Sequence, residues 1–80
     1  MGTVKIELRG PLARYGTRDK GTGRMEMTAD NGVTVLEILN QLHIPCHHVG
    51  LIVVNGKKGT MQTALREGDH LIIFPVVAGG

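Results

Sequence analysis

The run Leu71-Ile72-Ile73-Phe74 constrains the fold of this chain more than any other stretch. A strand with one face in water alternates apolar and polar residues, whereas a continuous apolar run indicates burial on both faces. Pro75 follows the run and ends it, because proline has no backbone N–H to donate to a neighbouring strand. We therefore expect a central strand here, covered on at least part of both faces.

Three earlier segments supply strands to flank it. Period-two alternation over Thr3 to Arg9 predicts a half-buried strand, and a second strand at Arg24 to Thr28 pairs with it through an enlarged hairpin connection. Leu51 to Val54 predicts another strand, followed by the tight-turn pair Asn55-Gly56. Lys57-Lys58-Gly59 is interpreted as a solvated, exposed connection.

One amphipathic helix is predicted between these strands. Thr34 and Glu37 have the spacing of a capping box, in which each side chain bonds to the backbone N–H of the other residue. Pro45 prevents continuation, so the helix is expected to end around His43. One apolar stripe follows the i, i+3, i+4, i+7 pattern: Val35, Ile38, Leu39 and Leu42.

Two shorter segments complete the chain. Leu12 to Tyr15 predicts a turn of helix, and Met61 to Glu67 is interpreted as an irregular piece with one helical turn around Ala64 and Leu65. The order of elements predicts an α+β architecture, a mixed sheet with one main helix packed across it. Eighty residues are enough for one domain, 1–80, with an apolar C-terminal tail from about residue 75 to 80.

Composition excludes several classes of function. The only aromatic residues are Tyr15 and Phe74, and the net charge of +2 has no clustered basic run, so nucleic-acid binding is not expected. No apolar run is long enough to span a membrane, which makes a cytoplasmic protein the expectation. A single cysteine, Cys46, excludes an internal disulfide and fits a reducing compartment.

Other candidate sites are weak. Cys46-His47-His48 is interpreted as a surface loop with a bystander thiol and no metal, because adjacent residues in an extended segment point in alternating directions. Gly16 to Arg24 lacks the Lys-Ser/Thr pair of a phosphate-binding loop and is interpreted as a solvated hairpin loop suited to an acidic partner. No pair of acidic residues indicates acid–base catalysis, so we do not expect an enzyme acting alone.

The C-terminal tail carries the strongest chemical signal. No charged side chain follows Asp69, and Gly79-Gly80 lacks Cβ atoms, so the tail is suited to enter another protein's active site. ATP could activate the Gly80 carboxylate as an acyl-adenylate, from which a sulfur donor displaces AMP, or a cysteine and then an amine takes the acyl group. From the residues alone, activation of the Gly80 carboxylate and a glycine tail without a chemical role are equally supported hypotheses.

Several motifs of this chain occur in an order and spacing that belong together. They are Arg9-Gly10-Pro11-Leu12-Ala13-Arg14, the capped helix from Thr34, Val53-Val54-Asn55-Gly56, Glu67-Gly68-Asp69, and the ending from Phe74-Pro75 to Gly79-Gly80. With these motifs the chain resembles the ubiquitin-like sulfur carriers, the MoaD/ThiS family, across essentially its whole length. This resemblance implies a ubiquitin-like β-grasp fold with the first and last strands parallel and adjacent at the sheet centre.

The resemblance also implies a mechanism and partners. An E1-like adenylyltransferase would use ATP to adenylate Gly80, and a persulfide sulfur donor would convert it to a thiocarboxylate. The carrier itself would bind no cofactor and would be no enzyme on its own, but the sulfur-donating subunit of a sulfurtransferase complex. The resemblance assigns adenylation to Gly79 and Gly80, and partner binding to the tail residues Phe74, Pro75, Val76, Val77 and Ala78.

The pathway is open between alternatives. Gly10-Pro11-Leu12 and Phe74-Pro75 resemble the molybdopterin synthase small subunit, which implies sulfur donation in molybdenum/tungsten cofactor biosynthesis with the synthase large subunit as partner. Val76 to Gly80 is more similar to the thiamine type, whose partner is thiazole synthase. A ubiquitin-like protein modifier and a regulatory β-grasp binding module are the alternatives from other classes.

Overall fold

The computed structural model describes residues 2–15 and 23–76. In this part of the chain, strands, one α-helix and two short 3₁₀ helices follow one another. Their bounds are β1 Gly2–Leu8, a 3₁₀ helix Gly10–Tyr15, β2 Arg24–Ala29, α1 Val35–Gln41, a 3₁₀ helix Cys46–His48, β3 Val49–Val54, β4 Lys57–Gly59 and β5 His70–Pro75.

The strands form one mixed sheet in the order β2-β1-β5-β3-β4. β5 runs parallel to β1 and antiparallel to β3, while β1 with β2 and β3 with β4 form antiparallel pairs. The predicted central strand is therefore confirmed, and so is the parallel pairing of the first and last strands. Leu71 and Ile73 are buried, whereas Ile72 and Phe74 are half-buried, so coverage is partial on the second face.

The predicted helix is confirmed, with a different end. The Thr34 hydroxyl accepts a bond from the Glu37 backbone N–H at 3.2 Å, and the Glu37 carboxylate accepts one from the Thr34 N–H at 3.3 Å. α1 ends at Gln41 because His43 adopts a left-handed φ of 61°. The N–H groups of His43 and Ile44 then donate back to the carbonyls of Asn40 and Leu39, which completes a Schellman motif.

The hydrophobic core lies between α1 and one face of the sheet. The period-two positions of β1, β3 and β5 face α1, whose apolar stripe covers them, and Leu12 and Leu65 are buried in the same cluster. The largest fully buried side chains are Ile6, Leu8, Leu12, Ile38, Leu39, Leu65, Leu71, Ile73 and Val35.

The segment interpreted as an exposed connection, Lys57–Gly59, is instead β4, a strand at the edge of the sheet. Asn55 and Gly56 have φ of 53° and 82°, the two positive values that a type I′ hairpin turn requires. This turn pairs Val54 with Lys57 and continues the ladder. The sequence does not indicate a strand at Lys57–Gly59 because its pairing comes from the turn and not from apolar residues.

The prediction of a helical turn around Ala64 and Leu65 is wrong. Ala64 forms an isolated antiparallel bridge with Thr34, and the Leu65 N–H donates to the Val33 carbonyl at 2.7 Å. The segment places backbone carbonyls against the start of α1, whose first N–H groups lack partners within the helix. The Val35 N–H donates to the Thr63 carbonyl at 3.1 Å. The helical turn predicted at Leu12 to Tyr15 is confirmed, as a 3₁₀ helix.

Candidate functional site

The face of the sheet opposite to α1, which we call the outer face, has an apolar half around the central strand. Leu51 of β3 pairs with Phe74 of β5, and Val53 pairs with Ile72, so these four side chains lie next to one another. Leu51 is 39% exposed, and the other three are half-buried. This apolar half extends to the C-terminal end of β5, where the tail begins.

The other half of the outer face is charged and is centred on Glu7. This carboxylate is 8% exposed although it lies on the outer side of β1. The Arg9 Nε lies 2.6 Å from Glu7 Oε2, and the Nε2 of His70 and the Nε of Arg24 lie 3.6 and 3.8 Å from Oε1. A buried carboxylate is tolerated when cations and hydrogen-bond donors surround it, and Glu7 meets this condition.

Sequence reasoning missed Glu7 because alternation placed it on the solvated side of a strand. Its neighbours come from two other strands, since Glu7 pairs with Arg24 across β1–β2 and with Ile72 across β1–β5. The sequence offers one signal, an acidic residue two positions before Arg9 on a strand expected at the sheet centre.

Arg9 joins the two halves of the outer face. Its guanidinium carbon lies 5.8 Å from the centre of the Phe74 ring, within cation–π range, while its Nε contacts Glu7. Its backbone N–H also donates to the Ile73 carbonyl at 3.0 Å. The charged cluster thus holds the end of β1 against the last residues of β5.

The chain leaves the sheet at Val76, which we call the tail exit. Val76 is 51% exposed, and its N–H donates to the His48 carbonyl at 3.0 Å. Phe74 and Pro75 are the last residues of β5 and are half-buried. Three of the seven predicted site residues are therefore placed at or beside the tail exit. The other four lie outside the described residues: Val77, Ala78, Gly79 and Gly80.

The Cys46-His47-His48 segment is a short 3₁₀ helix and not the extended segment expected from the sequence. Cys46 is exposed, and the two histidine rings meet edge-on with centroids 4.4 Å apart. Within residues 2–15 and 23–76, no group of three His, Cys, Asp or Glu side chains could hold a metal ion. Of the predicted loop Gly16 to Arg24, residues 16–22 lie outside the described ranges.

Asp69 fastens the start of β5 to the β3–β4 hairpin. Its carboxylate accepts bonds from the Asn55 side-chain amide at 2.9 Å and from the Arg66 backbone N–H at 2.8 Å. These bonds hold the pKa of Asp69 below its ordinary value, with the Asn55 amide as the larger cause. The Asn55 carbonyl oxygen in turn accepts a bond from the His70 N–H. These hydrogen bonds fix the N-terminal end of β5 against the turn between β3 and β4.

The chain belongs to the Mut7-C ubiquitin family, whose model matches residues 1–79. No curated protein sequence matches the chain. The family match confirms that the chain is ubiquitin-like, and the mixed sheet with one α-helix confirms the predicted β-grasp architecture. Within the described ranges, no helix has the length and apolar character needed to cross a membrane.

Solved structures of low sequence identity have the same fold. Small archaeal modifier protein 1 of Haloferax volcanii is 22% identical with a TM-score of 0.72, covering 99% of this chain and 100% of its own. A putative molybdopterin converting factor subunit 1 from Pyrococcus furiosus is 19% identical with a TM-score of 0.72, covering 96% and 100%. A chain from the complex of subunits 1 and 2 of the molybdopterin-converting factor of Helicobacter pylori is 20% identical with a TM-score of 0.60, covering 98% and 99%.

Proposed function

We propose that this chain is a sulfur carrier whose Gly80 carboxylate is adenylated by an E1-like enzyme and converted to a thiocarboxylate. The observation that carries the proposal is the place of the tail exit. The central strand β5 delivers the chain at Val76 to the edge of the apolar half of the outer face. A partner that covers this face would therefore receive the tail directly.

The chemistry requires a free carboxylate on Gly80 and no cofactor bound to the carrier. A Gly80 oxygen attacks the α-phosphorus of ATP, and pyrophosphate leaves. The outer sulfur of a persulfide donor then attacks the acyl carbon, and AMP leaves. A thiol cleaves the resulting acyl disulfide, which releases the thiocarboxylate and leaves the donor oxidised to a disulfide. Glycines at 79 and 80 let the backbone approach the nucleotide closely.

As the pathway that receives the sulfur, we favour molybdopterin biosynthesis, with the molybdopterin synthase large subunit as the partner of the carrier. The support is the likeness in fold to two molybdopterin-converting factor subunits, one of them in a complex of subunits 1 and 2. The thiamine-type carrier remains the alternative within the same chemistry, because the Val76-Val77-Ala78-Gly79-Gly80 ending is similar to it.

A ubiquitin-like modifier is the second candidate, and the likeness to small archaeal modifier protein 1 favours it. It would share the Gly80 acyl-adenylate but end as an amide on a lysine of a target protein. The two candidates therefore differ in the final bond to Gly80 and not in its activation.

Fragment-level mass spectrometry of the C-terminal peptide tests both candidates. The protein is incubated with an E1-like adenylyltransferase, ATP and a persulfide donor, and a variant lacking Gly80 is the control. The added mass must be located on Gly80, because oxidation of any of the four methionines nearly matches replacement of oxygen by sulfur.

A thiocarboxylate on Gly80, absent from the truncated variant, is the expected result. An isopeptide bond to a lysine in cell extract would favour the modifier instead. A plain carboxylate under all these conditions, or transfer by the truncated variant, would contradict the sulfur carrier.

A further inference from the structure

β3 has an irregular register beside the tail exit. Val49 pairs with Pro75 and Leu51 pairs with Phe74, so Gly50 is an extra residue opposite the end of β5. A Cβ at Gly50 would lie 2.6 Å from the Pro75 carbonyl oxygen and 3.0 Å from the Val76 Cα. Both are backbone atoms, so they cannot move aside as the end of a flexible side chain can. The close approach therefore requires glycine.

The same end of β5 is held from two other directions. The His48 carbonyl, two residues before Gly50, accepts the Val76 N–H at 3.0 Å. On the β1 side, Gly10 has a φ of +58°, and a Cβ there would lie 3.2 Å from the Pro75 Cγ. Backbone from β3 and from the 3₁₀ helix after β1 thus packs closely around Pro75, and the contacts at His48 and Gly50 set the direction in which the chain leaves the sheet.

We infer that Gly50 is a positioning residue for the tail: by admitting the Pro75 carbonyl where a Cβ would stand, it aims Val76 and the residues after it at the activating partner. This inference rests on the proposed adenylation of Gly80. It assigns to the bulge in β3 a role in the rate of that reaction, separate from docking of the domain.

The direction at Val76 matters because the reacting atom is at the far end of the tail. Four residues, 77–80, reach at most about 14 Å, so a tilt of about 10° at Val76 displaces their end by about 2 Å. Misplacement of a reacting atom by about 1 Å can lower a rate by about a hundredfold. Adding a Cβ at Gly50 forces a shift of this kind, because its contact with Pro75 O is shorter than real Cβ atoms show.

The test compares Gly50→Ala with Gly59→Ala, a strand glycine in β4. At Gly59 a Cβ would approach only side chains, those of Thr63, Val54 and Ile52, which can adjust. ATP–pyrophosphate exchange is measured with an E1-like adenylyltransferase at varied carrier concentration. We expect Gly50→Ala to lower kcat by about ten- to a hundredfold, with the KM for carrier within about twofold of wild type. Gly59→Ala should match wild type in both constants.

Amide hydrogen exchange supplies a readout that needs no enzyme. Exchange at the Val76 N–H should accelerate in Gly50→Ala, while exchange at Ile6 and Ile38 in the core stays slow. A variant that is merely destabilised would instead show faster exchange at the core amides in parallel. Unchanged exchange at Val76, or faster exchange there with unchanged kcat, would overturn the inference.

A second variant keeps the test decisive if Gly50→Ala does not fold. An 80-residue chain is accessible to chemical synthesis, so the Val76 amide can be replaced by an ester, which removes the donor to His48 and adds no Cβ. The ester should also lower kcat without raising KM, and a normal kcat would contradict the inference. If wild type and Gly59→Ala are not adenylated either, the proposed function fails, and the exchange measurement still decides whether Gly50 orders Val76.

Discussion

Glu7 is the residue on which the charged half of the outer face depends. Two guanidinium groups and an imidazole face its carboxylate: Arg9 just after β1, Arg24 in β2 and His70 in β5. Without that carboxylate, positive groups would face one another at the sheet centre. Its role is therefore to stabilise the sheet and, through Arg9, to hold the end of β1 beside Phe74.

We expect Glu7→Gln to lower the free energy of unfolding by about 1–3 kcal/mol, the cost of losing charged hydrogen bonds at a buried site. Glu26→Gln is the matched control, because Glu26 is exposed on the same face of the sheet. It should change stability by no more than about 0.5 kcal/mol. Urea denaturation measures both, and equal effects would show that the Glu7 cluster does not stabilise the fold.

The lowered pKa of Asp69 predicts that the stability of the fold depends on pH. Its pKa is lowered from the ordinary 3.8 in the folded state by the Asn55 amide and the Arg66 N–H. A lowered pKa contributes stability above the unfolded value, and this contribution is lost as the pH falls through the folded value. The stability difference between wild type and Asp69→Asn should therefore be largest near neutral pH and shrink below pH 3.8. Urea denaturation of both proteins from neutral pH to below pH 3.8 measures this difference, and a difference that does not change with pH would contradict the prediction.

At the scale of elements, α1 depends on partners outside itself. A helix of 7 residues is too short to be stable alone in water, so its caps and packing must supply the stability. The capping box supplies two bonds at its start, and the carbonyls of Thr63 and Met61 accept the N–H groups of Val35 and Leu36. Residues 61–65 therefore supply acceptors to the start of α1 and form no helical turn of their own around Ala64 and Leu65.

Thr34→Ala should lower the free energy of unfolding by about 0.5–2 kcal/mol, because it removes the hydroxyl that accepts the Glu37 N–H. Thr34→Ser keeps that hydroxyl and serves as the matched control, with a smaller loss expected. Thermal denaturation followed by circular dichroism separates the two variants. A loss of equal size in both would indicate that the Thr34 methyl group, and not the cap, stabilises the helix start.

At the scale of the whole molecule, the outer face and the tail exit form one continuous surface. The apolar half centres on β5 and β3, the charged half on β1 and β2, and the chain leaves at Val76 beside the apolar half. On the proposed function, the apolar half would be covered when the tail enters a partner. Docking and chemistry would then depend on different residues of the same surface.

On the proposed function, Leu51→Ser should raise the KM for carrier in the adenylation reaction by about tenfold and leave kcat unchanged, because it removes apolar area from the apolar half of the outer face. Leu51 is 39% exposed, so the fold should tolerate the change. Asn40→Ser, on the exposed side of α1, is the control and should leave both constants unchanged. A fall in kcat at constant KM would contradict the separation of docking from tail positioning.

Much of the architecture was predictable because its causes are local. Alternation over Thr3 to Arg9 gave β1, the spacing of Thr34 and Glu37 gave the start of α1, and the apolar run at Leu71 to Phe74 gave the central strand. The helix end was displaced because His43 takes a left-handed conformation that is uncommon for a residue other than glycine. β4 was not predicted because it results from the positive φ values of Asn55 and Gly56 in the preceding turn and has no apolar pattern of its own.

By itself, the sequence determined β1, β2, β3, the start and apolar stripe of α1, and the central place of β5, since period and capping depend on neighbours in the chain. Only the tertiary structure decided which distant residues meet. Strand register brings Arg24 and His70 to Glu7, and the bulge in β3 brings Gly50 against Pro75. These contacts depend on pairing between segments far apart in the chain, and a one-residue change of register would abolish them.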